Sequence, residues 1–109
     1  MEYLFVYGSL CPGEENAGLL TRIGGQWEAG QVNGRLVNAH WRTQGGYPYL
    51  IPDEQSGPVS GFLFSSPDLA QHWDALDAFE GDEYTRVLVG VTTARESIVQ
   101  AYVYSMKAQ

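Results

Sequence analysis

The chain has 109 residues, 44% of them hydrophobic and 17% charged, which fits one globular domain and excludes a disordered chain. Six basic against thirteen acidic side chains give a net charge of -7, which repels phosphate backbones and anionic lipid headgroups, so neither nucleic acid nor a membrane surface is an expected partner. No apolar run approaches the roughly 20 residues that span a bilayer, and the single cysteine, Cys11, allows no internal disulfide; a cytoplasmic location is expected.

Tyr3 to Tyr7 has the β-branched and aromatic composition of a buried strand. It stops at Gly8, which lets the backbone turn sharply, and Ser9 and Leu10 follow before Cys11-Pro12-Gly13. Pro12 is expected to open a short helix through Leu20, with Glu14 and Glu15 in its first turn. In a strand, tight loop and helix of this kind, the backbone N–H groups around Gly8 to Leu10 are expected to lack ladder partners and to converge on an anion; the alternative is an ordinary turn.

Farther on, Gln26 to Gly30 and Val32 to Trp41 read as two short strands joined by a hairpin at Asn33-Gly34, with Gly30 marking a bulge. Thr43 to Gly46 reads as a loop. The two prolines of Tyr47-Pro48-Tyr49-Leu50-Ile51-Pro52 suit an edge strand or a cavity rim. Asp53 to Pro58 is turn composition, and Val59 to Phe64 alternates as a strand. Ser66-Pro67-Asp68 supplies an N-cap, a first-turn proline and an acidic residue for a helix that runs to Glu80 and stops at Gly81. Tyr84 to Thr92 and Ile98 to Ser105 read as a final pair of strands linked near Arg95-Glu96. These elements predict an α+β domain: a small mixed, mostly antiparallel β-barrel around a cavity, with one or two flanking helices.

At about 100° per residue, Leu69, Trp73, Leu76 and Glu80 share one helix stripe, whereas Asp74 points away and Asp77 lies on the flank. A carboxylate on an apolar stripe needs an explanation. Glu80 swings into water at a frayed helix end, pairs with Arg86, Tyr84 or Tyr104, or lines a pocket. In a pocket, burial and the negative end of its own helix both raise its proton affinity toward that of a general base. Glu80 is the best catalytic candidate on these grounds.

Other chemistry is weaker. His40 and His72 have no Cys or carboxylate at ligand spacing, so no metal site is expected. Ser9 lacks the second glycine of a hydrolase elbow, and Cys11 is a modest nucleophile at a helix start or an inert small residue. Trp27, Trp41 and Trp73 serve a core or a cavity wall.

Leu4-Phe5-Val6-Tyr7-Gly8-Ser9-Leu10, Asn16 and Leu19-Leu20, together with Leu76-Asp77-Ala78-Phe79-Glu80-Gly81, Tyr84 and Arg86, resemble the γ-glutamylcyclotransferase-like family. Gly46-Tyr47-Pro48 and Ala101-Tyr102-Val103-Tyr104 follow in the same order, so the resemblance spans nearly all of residues 1–109, read as one domain. It implies a small mixed barrel around a cavity, and an enzyme that cyclises a γ-glutamyl group to 5-oxoproline and releases an amine or amino acid without metal or cofactor. By position, it places the substrate's α-carboxylate on the amides of Tyr7 to Leu10 and makes Glu80 the proton-transfer residue. Tyr84 or Tyr104 would orient Glu80 or donate to the developing oxyanion. Cys11 and Ala17 depart from the basic residue and the His that relatives often carry there. A non-catalytic domain holding a small carboxylate and an amidohydrolase that uses Glu80 to activate water are the alternatives.

Overall fold

A computed structural model describes residues 2–8, 10–14, 16–37, 49–81 and 84–106. Its strands are β1 (Glu2–Val6), β2 (Gln26–Val37), β3 (Tyr49–Pro52), β4 (Pro58–Ser66), β5 (Tyr84–Thr93) and β6 (Ile98–Met106). The helices are α1 (Gly18–Ile23) and α2 (Trp73–Glu80), with a 3₁₀ turn at Leu69–Gln71 before α2.

The sheet order is β3-β2-β4-β1-β6-β5, and β2 pairs again with β5 at Gly30↔Thr93 and Gln31↔Thr92. That second pairing closes five strands into a barrel and leaves β3 as an extra strand beside β2. Among the described residues only β1 and β6 run parallel, with Leu4 opposite Tyr102; the other pairings are antiparallel. The expected α+β barrel with flanking helices is the observed fold.

Alternate residues of one strand go to opposite faces, and here both faces are buried. Phe5, Val32, Leu63, Val91, Ala101 and Val103, drawn from all five barrel strands, fill the interior. Their neighbours Leu4, Val6, Phe64 and Tyr104 face outward and pack under Leu20 of α1, Leu69, and Trp73 and Leu76 of α2. This double burial is why β1 reads as a continuous apolar run.

Closure brings backbones close. Gly30 lies opposite Gly61, and a Cβ on Gly61 would fall 2.2 Å from the Val6 carbonyl oxygen and 2.7 Å from Phe5 Cζ. The β2–β4 register runs unbroken from Gln26↔Ser65 to Asn33↔Pro58, so Gly30 marks this crossing and not a bulge.

Three further expectations are corrected. Asn33-Gly34 makes no hairpin: β2 continues to Val37 and changes partner there, from β4 at Asn33↔Pro58 to β3 at Gly34↔Pro52. Gly34 serves that close approach, since a Cβ on it would lie 2.7 Å from the Ile51 carbonyl oxygen. The first helix does not begin at Pro12. Successive turns bridge Cys11 to Ala17, Gly13 has φ +83°, and helix forms only from Gly18. Nor does Ser66 open the second long helix: it ends β4, fully buried, and its Oγ accepts the Asp68 N–H at 3.1 Å. The expected capping bond is thus present but shapes a turn, and α2 starts at Trp73. Its stop is as expected, with Gly81 at φ +95°. The expectations on Ser9, His40, Trp41, the 43–46 loop and residues 47–48 lie outside the described residues. No helix among the described residues is long and apolar enough to cross a membrane.

Candidate active site

The ladder of β1 ends at Val6, opposite Phe62, so the chain from Tyr7 onward leaves the sheet. The Tyr7 hydroxyl donates to the Tyr104 carbonyl oxygen at 2.7 Å and accepts the Leu50 N–H at 3.0 Å, which ties the exit of β1 to β6 and β3. A turn follows, closed by the Cys11 N–H to the Gly8 carbonyl oxygen at 3.0 Å, and the buried Leu10 side chain anchors it to the outer core. Tyr7 and Gly8 also line a cavity of about 790 Å³, together with Cys11, Gln31, Ser60 and Phe62. Glu80, Leu10, Tyr84 and Tyr104 are not among the residues lining it.

The second group gathers where α2 crosses β5 and β6. Trp73 and Leu76 are buried, Asp74 is exposed, and Asp77 and Glu80 are intermediate. The Tyr104 hydroxyl donates to Asp77 Oδ1 at 2.6 Å. Arg86 donates from Nε to Oδ1 at 3.1 Å and from its terminal nitrogen to Oδ2 at 3.3 Å. The same guanidinium lies over the Trp73 ring at 4.3 Å and the Tyr102 ring at 5.0 Å. Burial penalises the charge of Asp77, but the hydrogen bonds from Tyr104 and Arg86 outweigh it and hold the carboxyl below the ordinary aspartate value. Burial, then the Asp77 hydrogen bond and charge, push the Tyr104 phenol far above the ordinary tyrosine range, against Arg86 and with Glu80 adding to the rise. Tyr84 packs its ring on Tyr49, with centroids 4.5 Å apart.

Among the expected site residues, the structure therefore links Tyr7 to Tyr104 and places Glu80 three positions after Asp77, the partner of the Tyr104 hydroxyl, on α2. It gives Arg86 to Asp77, and it commits the only proton of the Tyr104 hydroxyl to Asp77. Ser9 lies outside the described residues. Cys11 is buried, does not begin a helix, and is pushed up to about 11 by burial and by the Glu14 charge, so it is no nucleophile at neutral pH. No group of three or more His, Cys, Asp or Glu side chains able to hold a metal ion occurs among the described residues.

Comparison with known proteins decides the family. The family model described as gamma-glutamyl cyclotransferase, AIG2-like, matches residues 4–109. The chain belongs to this family. YkqA from Bacillus subtilis is similar in structure, with 28% identity and a TM-score of 0.73 over 97% of this chain. The chain spans only 36% of the length of YkqA. An AIG2-like protein from Mus musculus shares 21% identity with a TM-score of 0.72, covering all of this chain and 79% of its own. A protein described as gamma-glutamyl cyclotransferase shares 17% identity with a TM-score of 0.70, covering 97% of this chain and 66% of its own. At those identities the last two show the fold alone. No curated protein matches the chain.

Within this family member, Asp77 is the residue that sequence reasoning passed over. Helical periodicity placed it on a flank without naming a partner, because Tyr104 lies 27 residues away in the chain. A carboxylate off the apolar stripe, three residues before another one on it, was the available signal.

Proposed function

We propose that the protein is a γ-glutamyl cyclotransferase that converts a γ-glutamyl amine or γ-glutamyl amino acid to 5-oxoproline and the free amine, with Glu80 as the proton-transfer residue. The observation that carries this reading is the double engagement of Tyr104. Its main-chain carbonyl is bonded to Tyr7 at the start of the loop, while its phenol is bonded to Asp77, three residues before Glu80 on α2. One residue thus couples the loop to the acidic end of α2.

In this reading the amides of Tyr7 to Leu10 take the substrate's α-carboxylate, a role suited to turn N–H groups beyond a strand end. The γ-glutamyl chain bends so that its α-nitrogen approaches the γ-carbonyl carbon. Glu80 removes a proton from the α-ammonium, and the freed lone pair attacks that carbon to close a five-membered ring. As the tetrahedral centre collapses, the bond to the leaving nitrogen breaks, and Glu80 returns its proton to that nitrogen. The ring nitrogen then still holds one proton more than a lactam can. Glu80, again a carboxylate, takes it and passes it to the released amine, which leaves as an ammonium. Two protons in all thus cross from the α-nitrogen to the leaving nitrogen. Holding an intramolecular reaction in geometry supplies on the order of 7 to 11 kcal/mol in favourable cases, and a positioned base adds about 10²- to 10⁴-fold. With its proton on Asp77, Tyr104 is not the oxyanion donor in this scheme.

A panel of γ-glutamyl compounds, followed for 5-oxoproline and for free glutamate, tests the proposal. Ring product is expected. Free glutamate would assign a hydrolase in which Glu80 activates water, and neither product would leave a domain that only binds small carboxylates.

A further inference from the structure

We infer that the cavity of about 790 Å³ beside Tyr7 and Gly8 receives the leaving amine, and that its acidic rim selects an aliphatic amine ending in a second ammonium over one ending in a carboxylate. The inference rests on the cyclotransferase reading above and names the substrate class within it.

The cavity adjoins the loop assigned to the α-carboxylate, and Glu80 is not part of its wall. Ring closure folds the γ-carbon back onto the α-nitrogen, so the leaving nitrogen stands only a few bonds from the carboxylate carbon. A cavity that opens at that loop is therefore within reach of whatever the leaving nitrogen carries. Its volume falls within the range of about 300–1,000 Å³ typical of small-molecule pockets, which leaves room for a chain of several carbons.

Barrel closure shapes the wall. Gly30 and Gly61, opposite each other in β2 and β4, contribute no side chain, and Pro12, Phe62 and Ala94 supply apolar surface beside them. The charged side chains of the wall are acidic: Glu14 from the turns after β1 and Glu96 from the turn between β5 and β6, both exposed at the solvent edge. No Lys, Arg or His among the described residues lines the cavity. Arg95, next to Glu96, is turned to Glu28, where its Nε and a terminal nitrogen donate to the two carboxylate oxygens at 3.0 and 3.1 Å. Its charge is matched there, by a residue outside the wall. The turn is fastened to the barrel, since the Ala94 N–H donates to the Ala29 carbonyl oxygen at 3.1 Å. Glu96 has φ 62°, a region that favours glycine, yet the turn carries a carboxylate there.

An apolar wall with a negative rim suits methylene groups that end in a cation. The methylenes lie along apolar surface while the ammonium stays at the wet edge. A carboxylate in that place meets two like charges. A γ-glutamyl α-amino acid carries such a carboxylate on its leaving part, whereas a γ-glutamyl diamine carries the ammonium. Because both acids sit at the solvent edge, the preference is modest and weakens with salt.

The test is kcat/KM for 5-oxoproline formation from the γ-glutamyl conjugates of a terminal diaminobutane, of butylamine and of δ-aminopentanoate. These differ only in an ammonium, a hydrogen or a carboxylate at the far end of one chain. At low salt the diamine conjugate should exceed the butylamine conjugate by about three- to tenfold, mainly through KM, and the aminopentanoate conjugate should fall below it by a similar factor. In a double variant, Glu14→Gln with Glu96→Gln, both ratios should move to about one, as expected when two exposed charges are removed. That variant keeps most of the net charge of -7, so a preference due to overall charge would survive in it. Equal kcat/KM for the three conjugates in the wild type, or ratios unchanged in the double variant, would overturn the inference and leave the cyclotransferase reading standing. No ring product from any of the three would remove that reading, and this inference with it.

Discussion

The hydroxyl of Tyr7 donates to the main-chain carbonyl of Tyr104 across 97 positions of sequence, at 2.7 Å, and so ties the first strand's exit to the last strand. The same oxygen accepts the N–H of Leu50, a fully buried residue of β3. Tyr7→Phe leaves that N–H and the Tyr104 carbonyl without these bonds, and an unsatisfied buried group costs about 1–3 kcal/mol. Urea unfolding should show a loss of that size, and KM should rise because the loop that follows Tyr7 loses its anchor. Unchanged stability would mean that the two bonds are replaced by others.

Gly61 should be nearly irreplaceable. Gly61→Ala puts a Cβ against main-chain atoms of β1 that cannot swing aside, and the strain should lower stability by about 1–3 kcal/mol or more. Gly57→Ala is the control, since a Cβ there meets nothing within 4 Å, and its effect should fall within about 0.5 kcal/mol. Thermal unfolding of the two variants separates them; equal effects would contradict the close approach at barrel closure.

Asp77 gives a pH signature to stability. Its folded proton affinity is depressed by Tyr104 and Arg86 against the cost of burial, so its contribution is present above the unfolded value of about 3.9 and lost as pH falls through the lower folded value. The stability gap between wild type and Asp77→Asn, measured by urea unfolding, should be constant near neutrality and shrink below about pH 4. It should be modest, because 44% of the Asp77 side chain is exposed and solvent screens the pair. A gap that does not change with pH would contradict the assignment of the ion pair.

Cys11 should be unreactive in the folded protein. A buried thiol pushed up to about 11 is almost wholly protonated at pH 8, so alkylation by iodoacetamide should be slow until denaturant is added. Fast labelling of the native protein would contradict its burial.

Much of this architecture was legible because the signals were local. The apolar run of β1, the long alternations of β5 and β6 and the glycine stop after Glu80 each carry their own physics. Asn33-Gly34 has strong hairpin chemistry, yet β2 runs through it, because exchanging β4 for β3 as partner satisfies the backbone without a turn. Ser66 kept its capping bond, but burial at the end of β4 turned that bond to a different use. The Asp77–Tyr104 contact was hidden for another reason: periodicity names a face of a helix, and nothing in it says which strand residue will arrive there.

In the proposed reaction Glu80 moves the proton during ring closure. The measurement that tests it most directly is the rate of 5-oxoproline release by Glu80→Gln on a γ-glutamyl substrate accepted by the wild type, with binding of that substrate followed in parallel. Glu80→Gln should lose the roughly 10²- to 10⁴-fold contribution of a general base, or more, with the fold intact and binding largely kept. Turnover at the wild-type rate in Glu80→Gln would contradict it.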